Sequence, residues 1–162
     1  MISYDDLDAL GLVKRYVKGR LVHSNQVGVD ELRDLDTDRL LERFRDHLNP
    51  RGLTAGFGGM IALVDATVHH QDIRRPLELP RVIPPERLRY VLQRTPGNPR
   101  LGAWRRIRGL RLCATDLDWA TGTGAEVRGP GEALLMAMTG RRGVVGELSG
   151  PGQPTLARRL AD

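Results

Sequence analysis

The chain has 162 residues, a formal net charge of +5 at pH 7, 40% hydrophobic, 28% charged and only 4% aromatic residues. That is a globular composition, long enough to bury a core without disulfide staples, and the core must come from Leu, Val, Ile, Ala and Met. The single cysteine, Cys113, excludes an internal disulfide framework and a Cys-rich zinc module; no apolar run reaches the ~20 residues of a membrane span, and the acidic start MISYDDLDAL is unlike a signal peptide, so the expected compartment is a reducing cytoplasm.

The segment from Ser3 to about Val22 reads as a helix, with Ser3 as N-cap, Asp5 and Asp6 at the positive end of the dipole, and Leu7, Leu10, Val13 and Val17 at helical spacing. The polar stretch His23 to Asp30 reads as a loop. A second helix is expected from about Thr37 to Leu48, capped by Asp36 or Thr37, with an apolar stripe of Leu40, Leu41, Phe44 and Leu48. Asn49-Pro50-Arg51-Gly52 stops it. A third is expected from about Gly56 to Arg75, ended by Pro76. A fourth starts at Pro84-Pro85-Glu86 and covers Leu88, Val91 and Leu92.

The character then changes. Arg94-Thr95-Pro96-Gly97-Asn98-Pro99 has linker composition. Ile107 to Thr115 alternates as a strand does, Asp118 to Gly124 reads as a turn, and Ala125 to Arg128 as a short strand. Gly131 to Thr139 is helix-prone with Gly140 as a C-cap signal, and Pro154 to Leu160 closes the chain as a helix. The reading is a helical part to about residue 95 and a small α/β part after it, without internal repeats.

The basic excess lies between Arg74 and Arg108, and Lys14 and Lys18 are the only lysines. An arginine-rich stretch of this kind is expected to be a solvated surface rather than a nucleic-acid interface, which would show itself by strongly salt-dependent retention on DNA.

The stretch Val64-Asp65-Ala66-Thr67-Val68-His69-His70-Gln71-Asp72 carries the candidate chemistry. On a helix, Asp65 and His69 are four apart and Asp72 is three beyond His69, so the three share a face. A carboxylate and an imidazole so placed can ligate one divalent metal, with Asp72 orienting the imidazole from behind. Their apolar neighbours point to a buried face, where an unpaired carboxylate is costly. On spacing alone a polar Asp–His or Asp–Arg pair is the commoner arrangement, and one helix supplies two ligands where zinc normally takes three. His70 is expected on another face. His23 and His47 are expected to be solvated, and Cys113 to be a buried structural thiol.

The run Asp65-x-x-x-His69-His70-Gln71-Asp72-Ile73-Arg74-Arg75, followed by Leu77-Glu78-Leu79-Pro80, resembles the metal-binding region of the mycothiol-dependent maleylpyruvate isomerase family, within the DinB-like superfamily. The later blocks, Gly109-Leu110-Arg111-Leu112-x-Ala114-Thr115-Asp116-x-Asp118-Trp119, Val127-Arg128-Gly129-Pro130-x-Glu132-Ala133-Leu134-Leu135 and Gly140-Arg141, are similar to that family's small C-terminal domain, which is itself similar to sterol-carrier folds. The likeness runs from about Gly56 onward.

The resemblance implies an α+β chain: an incomplete, N-terminally shortened DinB-like four-helix bundle over residues 1–95, then a small sterol-carrier-like α/β domain over 96–162. It implies a divalent metal, zinc in the first place, with Asp65 standing where the family usually has Glu and His69 as the matching histidine. The family's first ligating histidine falls ahead of Met1, so the site is expected to be short of one ligand within this chain, and the shortened bundle to pair with a partner, a homo-oligomer among the options.

The same resemblance implies mycothiol as cosubstrate and a small electrophile as substrate. A metal-bound thiol is deprotonated near neutral pH, and its addition to an electron-poor double bond supports isomerisation or thiol transfer. Arg141, with Arg128 behind it, is the candidate to fork a substrate carboxylate. The alternative expectation is a non-catalytic member that acts as a binding or interaction module.

Overall fold

The computed structural model describes residues 6–19, 24–49, 51, 55, 58–79, 81–99 and 101–161. It divides into two compact units, Met1–Asp65 and Ala66–Asp162. The fold is mixed α+β: helices throughout, with a three-stranded sheet in the second unit.

The first unit holds α1 (Ala9–Lys18), α2 (Ser24–Asp30) and α3 (Thr37–Asp46). α1 begins later than its apolar spacing predicts. Its N-cap is Asp8, extended at φ −75° and ψ 177°, whose carboxylate accepts the Gly11 N–H at 2.6 Å. The predicted cap, Ser3, lies outside the described residues. The stretch predicted as a loop before Asp30 is largely the helix α2, with Gln26 Nε2 donating to Asp30 Oδ1 at 3.0 Å one turn on; its polarity marks a solvated helix face and not a break. α1 packs on α2, and the buried Arg15 guanidinium is paired with Glu31.

α3 stands where the sequence places it, with Asp36 accepting the Arg39 N–H at 2.8 Å. Its apolar stripe is formed but not covered: Phe44 is 53% exposed and Leu48 65%, and the helix has no buried residue. At its C-terminal end His47 donates through Nδ1 to the Arg43 carbonyl at 2.7 Å and meets Asp6 Oδ1 through Nε2 at 3.0 Å. Arg43 Nη2 reaches the other oxygen of Asp6. Contrary to expectation, the His47 ring is not solvated: its side chain is 7% exposed.

The helix α4 (Met60–Arg74) contains the division between the units. After it come α5 (Pro85–Arg94), α6 (Ala103–Ile107), β1 (Leu110–Ala114), β2 (Ala120–Gly122), β3 (Ala125–Gly129), α7 (Gly131–Met138), a 3-10 helix (Arg142–Glu147) and α8 (Gln153–Ala161). The sheet order is β2-β1-β3, with β1 antiparallel to β2 and parallel to β3. Leu112 sits opposite Thr121 on one side and Val127 on the other.

Two features here escape the sequence pattern. The predicted turn contains the edge strand β2, too short to show alternation, and the linker region is followed by α6. The link from β2 to β3 needs glycine at Gly124: its φ is 121° and a Cβ would stand 2.2 Å from the Gly109 carbonyl oxygen, a clash with backbone that nothing can relieve.

The core of this unit is α7 packed against the sheet and α5. Ala133, Leu134, Leu135, Met136, Ala137 and Met138 are all buried, which is why this segment reads as apolar on every side. Asp116 Oδ1 accepts the Gly131 N–H at 2.8 Å and closes the start of α7. Leu110, Leu112 and Val127 from the sheet, Leu156 and Leu160 from α8, and Leu88, Val91 and Leu92 from α5 complete it. Each such side chain contributes roughly 1.5–3 kcal/mol of burial. α5 packs on α7 and lies with the sheet in the second unit.

Candidate functional site

The site grows out of α4. Val64, Thr67, Val68 and Gln71 recur at helical spacing and form its buried side. Asp65 and His69 each follow a buried valine by one position, so they are turned about 100° around the axis from that side. This rotation explains their exposure: Asp65 is half-buried, and the His69 side chain is 60% exposed rather than lodged in an apolar interior. Asp65 closes the first unit and His69 lies in the second.

His69 Nδ1 stands 3.1 Å from Asp72 Oδ2. A ring nitrogen facing a carboxylate donates its proton, so the imidazole carries its basic lone pair on Nε2. Asp72 is itself fixed. Arg141 Nε donates to Asp72 Oδ1 at 2.9 Å and Arg141 Nη2 to Asp72 Oδ2, a two-pronged fork. Arg141 also donates through Nη1 to the Thr139 carbonyl at 2.8 Å, and its own N–H reaches the Met136 carbonyl at 2.9 Å. The guanidinium of Arg141 holds the Asp72 carboxyl below the usual aspartate range, against a smaller opposing effect of burial. The sequence-predicted residues His69, Asp72 and Arg141 are thus brought together as one chain of hydrogen bonds. Arg128 is elsewhere, paired with Glu126 at 2.8 Å.

Of the other candidates, His23 lies outside the described residues. His47 belongs to the Asp6 pair of the first unit. Cys113 is half-buried in β1. His70 lies about 100° around the helix from His69, with Arg81 Nη1 3.1 Å from its ring nitrogens. Burial first, then the charges of Arg81 and Arg74, push its pKa down, so it stands neutral. In donor type, Asp65 and His69 suit a borderline divalent ion such as zinc. In number they supply two, and among the described residues no group of three or more His, Cys, Asp or Glu side chains is placed to hold a metal.

Sequence spacing misses a second ionic cluster beside the first. Arg75, just past the end of α4, donates through Nε to Glu132 Oε1 at 2.8 Å and through Nη1 to Glu147 Oε1 at 2.6 Å. Hydrogen bonds to these two carboxylates raise its pKa further. The cluster ties the end of α4 to the first turn of α7 and to the 3-10 helix. Arg75 and Glu132 each stand in a block that carries the resemblance, but nothing in the sequence pairs them. Next to it opens a cavity of about 430 Å³ lined by Gln71, Arg74, Arg75, Glu78, Leu79, Arg81 and Glu132.

No protein-family model, no curated protein and no solved structure matches this chain. Among the described residues no helix is long and apolar enough to cross a membrane.

Proposed function

We propose that this chain is a metal-dependent, thiol-dependent enzyme of the mycothiol-dependent maleylpyruvate isomerase type, built as a DinB-like helical part with a sterol-carrier-like α/β part. Its reaction is addition of a low-molecular-weight thiol to a small electrophile. The observation that carries this reading is the chain His69–Asp72–Arg141. It has the form of a ligand histidine whose far nitrogen is fixed by a carboxylate that is itself anchored.

In this reading Asp65 and His69 hold a divalent metal, zinc in the first place, whose remaining ligands come from outside the described residues. When bound there, the ion would lower the pKa of a coordinated thiol, so that the thiol is deprotonated near neutral pH. Asp72 keeps the His69 proton on Nδ1 and directs Nε2 outward. Arg141, engaged with Asp72, positions the imidazole through that carboxylate; this role comes before any contact with a substrate carboxylate.

The test is elemental analysis of the purified protein with and without His69→Ala. About one ion per chain, lost in the variant, supports the proposal; metal content unchanged by the substitution removes it. A second reading, a non-catalytic binding or interaction module, is favoured by the uncovered apolar stripes: Val13 and Val17 on α1, and Leu40, Leu41 and Phe44 on α3, are all exposed. A metal-free protein that sediments as a stable oligomer would support it.

A further inference from the structure

Two charges on α3 have no answer within their own chain. Asp38 and Arg45 are both exposed, and among the described residues neither side chain is held in an ion pair or a hydrogen bond. They are seven positions apart, two turns along the helix, and so lie on one line of it. Leu40, Phe44 and Leu41 fall within about 100° of one another around the axis, all of them exposed on a helix with no buried residue. The line of Asp38 and Arg45 borders this stripe on the Leu41 side, roughly 50° beyond it. Arg43 borders it on the Leu40 side and is already paired with Asp6.

This pattern is complementary to itself. When two such helices meet stripe to stripe about a two-fold axis and run antiparallel, a given flank of one faces the same flank of the other in reversed order. The axis then passes midway between Asp38 and Arg45, at the level of Leu41 and Glu42. It sets Asp38 of each copy beside Arg45 of the other, twice over, and the helix dipoles oppose. A parallel pair would turn this flank toward the flank of Arg43 and set Arg45 against Arg43, a like-charge contact. The charges therefore select one partner and one direction.

We propose that α3 is a dimer interface: it packs antiparallel on α3 of a second copy of this chain. Leu40, Leu41 and Phe44 lie between the helices, and two Asp38–Arg45 pairs close one side. A contact of two short helices belongs to the weak class of interfaces, with a dissociation constant on the order of 10–100 µM. The proposal rests on the interaction-module reading and deepens it by naming the partner; it uses neither Asp65 nor His69.

The test is sedimentation velocity of the full chain from about 5 to 500 µM. The wild-type protein is expected to pass from monomer to dimer. Phe44→Gln, which keeps a good helix former at an exposed position, should weaken the dimer by about tenfold or more. Asp38→Arg and Arg45→Asp each set like charges across both contacts and should weaken self-association about tenfold. An equimolar mixture of these two variants meets Arg with Asp at every crossing and should restore a dimer at least as tight as the wild-type one. A folding fault in either variant cannot produce that recovery. A mixture that stays as weak as its components overturns the pairing. A dimer that none of the α3 variants weakens overturns this interface and leaves an interaction module that works through another surface. A chain that is monomeric at about 500 µM overturns the proposal, whether the stripe is covered within the chain or by another protein. The metal reading is decided separately, by the metal content of the same samples.

Discussion

Asp72 and Arg141, 69 positions apart in the sequence, meet as a planar fork in which Nε donates to Oδ1 at 2.9 Å and Nη2 to Oδ2. The bond joins α4 to the segment after α7, and both side chains are 30% exposed. Arg141→Gln leaves Asp72 partly buried without its cation and is expected to cost roughly 1–2 kcal/mol near neutral pH, after allowance for solvent screening. The sign of the pH dependence follows from the lowered Asp72 pKa. Its contribution is present above the unfolded value of 3.8 and is lost as pH falls through the folded one. Urea unfolding should therefore separate the two proteins at neutral pH and bring them together in acid.

The same carboxylate sets the tautomer of His69. Asp72→Asn removes the charge that holds the proton on Nδ1 and frees Arg141. If Asp65 and His69 ligate a metal, its affinity should fall about 10- to 100-fold, measured by competition with a chromophoric chelator. The His69 ring should also lose its preference for the Nδ1–H form, read from its ¹⁵N shifts. A normal tautomer ratio in the variant would mean that the 3.1 Å contact does not control the ring.

How far the sequence could be read depended on the range of the interaction. α3, α5, β1, β3 and α7 are set by local signals: a cap at Asp36, proline at Pro85, alternation around Leu112 and a continuous apolar run from Ala133. The spacing of Asp65, His69 and Asp72 was legible for the same reason, since a helix fixes it. Their exposure was not, because it depends on which side of α4 is covered, and apolar residues such as Ile73 lie on both sides. Nor was the partner of Asp72. Arg141 could be picked out as a cation, but only packing decides that it meets an aspartate of the protein.

Glu132 and Glu147 share the guanidinium of Arg75 but differ in exposure, 18% against 42%. The more buried carboxylate gains more from the pair and loses more when neutralised. Glu132→Gln is expected to destabilise the second unit by roughly 1–3 kcal/mol, and Glu147→Gln by under about 1 kcal/mol. Chemical denaturation of the two single variants and of the double variant checks this. The double variant should cost more than the two singles added together, because Arg75 retains one partner in either single and none in both.

His47 and Asp6 give the first unit a pH window. Both ring nitrogens of His47 face acceptors, the Arg43 carbonyl and the Asp6 carboxylate, so the doubly protonated ring satisfies both. Its position past the last turn of α3 adds the favourable end of the helix dipole. The hydrogen bond to Asp6 raises the His47 pKa above 6.5, and the hydrogen bond to His47 lowers the Asp6 pKa below 3.8. A raised histidine pKa stabilises the fold fully below the unfolded value and fades as pH rises through the folded one; the lowered aspartate pKa acts above its unfolded value and fades as pH falls. The pair is therefore strongest between about pH 4 and 6.5. Asp6→Asn should bring the His47 titration, followed by its ring proton shifts, back down, since only the hydrogen bond to the Arg43 carbonyl is then left to oppose burial and the Arg43 charge. The stability difference between the variant and the wild-type protein should be widest inside that window and narrow above it. A His47 titration that does not move in Asp6→Asn would show that the ring and the carboxylate are uncoupled in solution.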